Sequence, residues 1–193
     1  MNLSDHFTLA EMTISAQGER AGLDNTPGPI EIANLQRVCR LLEDIRGYLR
    51  YPIVILSGYR SAPVNRLVGG AKTSAHMDGL AADFICPRYG TPFEVCRLIA
   101  MERKFDYDQL IHEHAWVHIG LRNDDKPNRR TNLTKGRSGG YIDGLVGGGC
   151  AQPVVVARRN GSCGYLPIQW LSVWQARQRW RACSCDAGCH RQS

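Results

Sequence analysis

The segment YDQLIHEHAWVHIGL (107–121) limits the fold more than any other part of the chain. Two runs rich in β-branched and aromatic residues, 107–113 and 116–121, flank a very short turn, which is the pattern of adjacent antiparallel strands. If His114 and Ala115 form a two-residue loop, Glu113 pairs with Trp116 and Ile111 pairs with His118. Cross-strand partners share a face, so Glu113 and His118 then lie diagonally on one face, with His112 and His114 on the other. A three-residue loop would break this pairing.

LAADFIC (80–86) alternates in the same way. Leu80, Ala82 and Phe84 face one side, and Ala81, Asp83 and Ile85 the other, so a strand presents Asp83 on a defined face. PIVILSG (52–58), β-branched and closed by glycine, predicts a buried strand. After Pro27-Gly28-Pro29, the positions Ile32, Leu35, Val38, Leu41, Leu42, Ile45 and Leu49 recur at helical spacing and predict an amphipathic helix over 30–50. TPFEVCRLIAME (91–102) predicts a second helix, and Ser4 is a candidate N-cap near the start. Residues 59–75, with Pro63 and Gly69-Gly70, read as loop; the polar stretch after Arg122 leads to a close of the core near 141–145. Four short strands plus helices predict an α+β fold: a small, mostly antiparallel sheet with helices packed on it.

Charge and cysteine divide the 193-residue chain. Residues 1–145 hold 18 Lys/Arg against 17 Asp/Glu, whereas 146–193 hold six Arg against one Asp. The expected organisation is therefore a domain over 1–145 and a basic, Trp- and Cys-containing tail over 146–193, expected to be poorly ordered. The basic excess lies in the tail, so no nucleic-acid partner is expected for the main domain. The tail segment LPIQWLSVWQARQRWRAC (166–183) could touch an anionic surface, and CSCDAGCH (183–190) superficially suggests a metal clip. Cys39, Cys86 and Cys96 lie in apolar segments and are expected as buried free thiols. No stretch reaches the ~20 apolar residues of a membrane span. MNLSDHFTLAEM lacks the basic and apolar regions of a Sec-type signal, so synthesis in the cytoplasm without a signal peptide is expected.

His76 and Asp83 in SAHMDGLAAD (74–83), with His118 in WVHIG (116–120), form a three-ligand zinc set of the right chemical type. Such a set leaves a coordination position for water, which marks a catalytic rather than a structural zinc. Glu113 is the candidate general base beside it. Arg60, in SGYRS (57–61), is the candidate substrate anchor, because its planar fork matches a carboxylate. Ser74 could hydrogen-bond substrate or order its loop. Gly79, at a turn into the strand, is placed where a positive φ is expected.

SGYRS, NRLVGGAKTSAHMDGLAADF and DQLIHEHAWVHIG, in that order, resemble the M15 family of zinc D-Ala-D-Ala carboxypeptidases and peptidoglycan endopeptidases, most closely its phage endolysin-like branch. The similarity covers about residues 3–145. It implies a Hedgehog/DD-peptidase-like fold, zinc held by His76, Asp83 and His118, a catalytic carboxylate at Glu113, and Arg60 near the substrate carboxylate. The expected activity is zinc-dependent hydrolysis of the stem or cross-link of bacterial peptidoglycan by a monomer, acting at the wall once released, for example as a phage lysis protein. The alternative is a non-catalytic zinc module of the same fold that recognises wall peptide or a protein partner.

Overall fold

The computed structural model describes residues 1–123 and 126–147. The expectations for the tail beyond residue 147 fall outside the described residues. The architecture is α+β, with a six-stranded sheet in the order β1-β2-β4-β3-β5-β6. The strands are β1 (Val54–Ser57), β2 (Ala81–Ile85), β3 (Gln109–His112), β4 (Val117–Gly120), β5 (Thr131–Lys135) and β6 (Tyr141–Asp143). Every neighbouring pair is antiparallel except β3 and β5.

Among the described residues, five helices accompany the sheet: α1 (Leu9–Thr13), α2 (Ala16–Arg20), α3 (Pro29–Leu49), α4 (Ala62–Leu67) and α5 (Pro92–Met101). The long helix α3 starts where Pro29 occupies its first turn, a position at which a missing N–H costs nothing. It ends at Arg50, whose left-handed backbone (φ 58°) lets its N–H close on the Arg46 carbonyl. Its apolar stripe is buried as the spacing predicts: Leu35, Val38, Leu42 and Ile45 are at most 1% exposed. Helix α5 is capped by Thr91 in a reciprocal box with Glu94. Helices α3 and α5 pack on one face of β2, β3 and β4. Phe84, Leu110, Val117 and Ile119 point into this layer and are fully buried. Each such side chain contributes about 1.5–3 kcal/mol. No described helix is long and apolar enough to cross a membrane.

Several local expectations change. Ser4 is not an N-cap: its hydroxyl donates to Glu43, and Thr8 caps α1 in a box with Glu11. Residues 59–75 are not all loop, because α4 forms there with Pro63 in its first turn. The sheet has six strands rather than four, since the polar stretch after Arg122 contributes β5 and β6. The 52–58 run forms a strand, but an edge strand with Val54 and Leu56 exposed, and its pairing shifts by one residue between Ile55 and Ser57. Cys39, Cys86 and Cys96 are buried free thiols, and burial pushes the thiols of Cys39 and Cys96 up to about 12.

Candidate metal centre and active site

The β3–β4 hairpin has the register that a two-residue loop requires. Ile111 faces His118, His112 faces Val117, and the Glu113 N–H donates to the Trp116 carbonyl. His114 takes a left-handed backbone (φ 58°) in the loop, and its ring bonds the Lys135 carbonyl. On the next strand Asp83 faces His118, and on the edge Ser57 faces Asp83. One row of side chains thus crosses the sheet on the face away from α3 and α5: Ser57, Asp83, His118, Ile111 and Leu133. His112 lies on the covered side, buried beside Phe93.

His76 reaches this row from a loop that is fixed at several points. The Arg60 N–H donates to its carbonyl, and the buried Asn34 amide donates to the carbonyl of Asp78. Gly79 turns the chain into β2 at φ +69°, and a Cβ there would lie 2.5 Å from the Glu31 carbonyl oxygen. Gly58 is equally constrained, because its Cβ would lie 2.3 Å from the Met12 carbonyl oxygen. The Gly58 carbonyl in turn accepts from His76 Nδ1 at 2.6 Å. Close approach of α1 to the end of β1 therefore helps to aim the His76 ring.

Three donor atoms converge. His118 Nδ1 lies 2.8 Å from Asp83 Oδ1, His76 Nε2 lies 3.2 Å from His118 Nδ1, and His76 Nε2 lies 3.3 Å from Asp83 Oδ1. All three residues are buried. A carbonyl can only accept, so the proton of a neutral His76 sits on Nδ1 and its Nε2 lone pair points at Asp83 and His118. His118 Nδ1 faces the same carboxylate, so the His76 lone pair and a carboxylate oxygen face one another in a buried site. A cation among the three relieves that contact. Ligands about 2.0–2.1 Å from a tetrahedral zinc would stand about 3.4 Å apart, close to the spacings found. The donor set, two imidazoles and a carboxylate with the second histidine nitrogen anchored on a carbonyl, fits zinc.

The electrostatics agree with ligand chemistry. Burial lowers the pKa of His76 despite the pull of Asp83. Burial alone would raise the pKa of Asp83, but His76 and His118 outweigh it and hold the carboxyl well below its usual range. Arg60 closes the other side of Asp83, with Nη2 at 3.1 Å from Oδ2. Its Nε and the indole Nε1 of Trp116 are buried donors without a hydrogen-bond partner among the described residues. Such groups are rare in native proteins.

Arg60, Asp83 and Trp116 border a cleft of about 410 Å³, walled further by Ile14, Leu56 and Val68. Glu113 is half-buried at the end of β3. It is near enough to Arg60 and Lys135 to act on both electrostatically, yet forms an ion pair with neither. Ser74 gives backbone hydrogen bonds to the His76 loop, accepting from the Met77 N–H and donating to the Ala71 carbonyl. The wall from Ile14 to Gln17 and the Lys135 neighbourhood escaped the sequence reading. They belong to five-residue helices and to the strand pair β3–β5, which leave no periodic signal.

A search of curated proteins finds no match. The family model of peptidase M15, a family of zinc-dependent peptidases, matches residues 5–120, which span β1 to β4 and carry Arg60, His76, Asp83, Glu113 and His118. With that match over more than half of its length, and a His-Asp-His group in its sheet able to hold a metal, the chain belongs to the peptidase M15 family.

Proposed function

We propose that the protein is a zinc peptidase that hydrolyses peptide bonds in the stem or cross-link of bacterial peptidoglycan, with residues 1–145 as its catalytic domain. The observation that carries this reading is the convergence of His76, Asp83 and His118, with Asp83 lining a cleft that also holds Arg60. Zinc, when bound, would polarise the scissile carbonyl and acidify its water toward neutral pH. Glu113 takes the proton of the attacking water and passes it to the leaving amine. Its electrostatic coupling to Arg60 and Lys135, without an ion pair to either, supports that role. Arg60 holds an oxygen-bearing group of the substrate, a carboxylate in the case of a carboxypeptidase, with its unpaired Nε facing the same task. Ser74 keeps the His76 loop in place and is a further candidate contact. The enzyme acts as a monomer at the cell wall, in the manner of a phage lysis protein.

The test is purified peptidoglycan incubated with the zinc-loaded protein, with and without chelator, followed by mass analysis of released peptides. The masses identify the bond that is cut. Chelator-sensitive peptide release is expected. A zinc-loaded protein that releases nothing would instead be a wall-binding module.

A further inference from the structure

The open face of the sheet carries a second group of side chains beyond the family-matched region. Leu133 of β5 faces Ile111, so Lys135 two residues on shares the face of His118 and stands beside Glu113. Tyr141 of β6 is its partner across the next strand pair. The Lys135 ammonium lies 4.6 Å from the Tyr141 ring centroid and 3.3 Å from its hydroxyl. Its backbone is pinned by the His114 ring, which donates to the Lys135 carbonyl at 2.8 Å. Among the described residues no carboxylate is within ion-pair distance of this ammonium. A held cation in no ion pair, on the same face as a peptidase centre, suits an anionic part of a substrate.

We propose that Lys135 and Tyr141 form a specificity subsite for a substrate carboxylate, on the side of the metal centre opposite Arg60. The inference rests on the peptidoglycan-peptide reading and adds the chemistry of one flank. Two strand spacings and two residues separate His118 from Lys135, roughly 12 Å between Cα atoms. Three to four extended residues cover about that distance, and the lysine stem reaches back over part of it. The acidic group therefore lies roughly one to three residues from the scissile bond. The favoured ligand is an acidic peptide whose carboxylate is free; an amide offers no charge to the ammonium.

The test compares two synthetic stem pentapeptides that differ only in the glutamyl α-carboxylate, free in one and amidated in the other. The zinc-loaded wild type is expected to favour the free acid by about five- to tenfold in kcat/KM, chiefly through KM. Lys135→Met brings the rate on the free acid down to that on the amide, with zinc content and melting temperature as folding controls. Tyr141→Phe, which keeps the ring but loses the hydroxyl, leaves an intermediate preference. Equal cleavage of both peptides by the wild type overturns the subsite, and so does a Lys135→Met variant that slows both by the same factor. Cleavage of neither peptide overturns the subsite, and the peptidoglycan reading falls with it where intact peptidoglycan also releases nothing.

Discussion

The two faces of the central sheet use the same strands for opposite ends. Toward α3 and α5 stand Ala82, Phe84, Val117, Ile119 and Leu110, all fully buried. One residue along each strand, on the other face, stand Asp83, His118 and Ile111, with Glu113 and Lys135 beyond them. The first face excludes water and makes the fold stable. The second gathers ligands, a carboxylate and cations that gain nothing from an apolar core. Strand alternation is what keeps these demands apart, and a one-residue slip in register would exchange them. A chain can thus hold costly polar groups close to its core without weakening it, provided they all share one parity.

Substitutions on the two faces should therefore fail in different ways. The largest effect is expected for His118→Ala: loss of stoichiometric zinc and a fall in peptide hydrolysis on the order of a thousandfold or more. Circular dichroism should show the secondary structure retained. If that variant unfolded instead, the division between the faces would collapse. Phe84→Ala, its counterpart on the covered face, should cost about 3–5 kcal/mol in denaturant unfolding. Enough zinc to keep the variant folded should restore most of its activity.

Gly79→Ala joins the two faces, because this turn sets the His76 loop against α3. The positive φ and the clash with the Glu31 carbonyl predict a loss of about 1–3 kcal/mol, together with weaker zinc binding. The smallest effect belongs to Asp108, away from the metal. Burial would raise its pKa, but the Arg129 side chain and backbone N–H outweigh burial and lower it. A carboxyl with a depressed folded pKa stabilises the fold above its unfolded pKa, and that contribution is lost as pH falls through the folded value. Asp108→Asn should therefore cost about 1 kcal/mol at pH 7, discounted because Arg129 is half exposed, and should flatten the acid limb of stability below about pH 4. A melting curve recorded as a function of pH checks it.

Much of this division could be read before the fold was known. Two residues between the runs 107–113 and 116–121 were enough to set Ile111 against His118, and alternation in LAADFIC placed Asp83 on the same side. Both are local patterns with a period of two. Elements that depend on distant partners were harder to read. The 52–58 run has the composition of a buried strand, yet its edge position is decided by which strands lie beside it. TNLTK in β5 looks like loop because its pairing with β3 is parallel and non-local, so Lys135 could not be placed near Glu113. Helices α2 and α4, five and six residues long, are too short to show periodicity. Ser4 has the chemistry of a cap, but Glu43 on α3 takes its hydroxyl instead.

His76, Asp83 and His118 are the group able to hold one divalent ion. Calorimetric titration of zinc into the chelator-treated protein tests this most directly, with Asp83→Ala as the comparison. One equivalent is expected to bind tightly to the wild type, with the protein melting temperature raised on binding, and no tight equivalent to the variant. A wild type that binds no zinc, or a variant that binds it as well as the wild type, would contradict it.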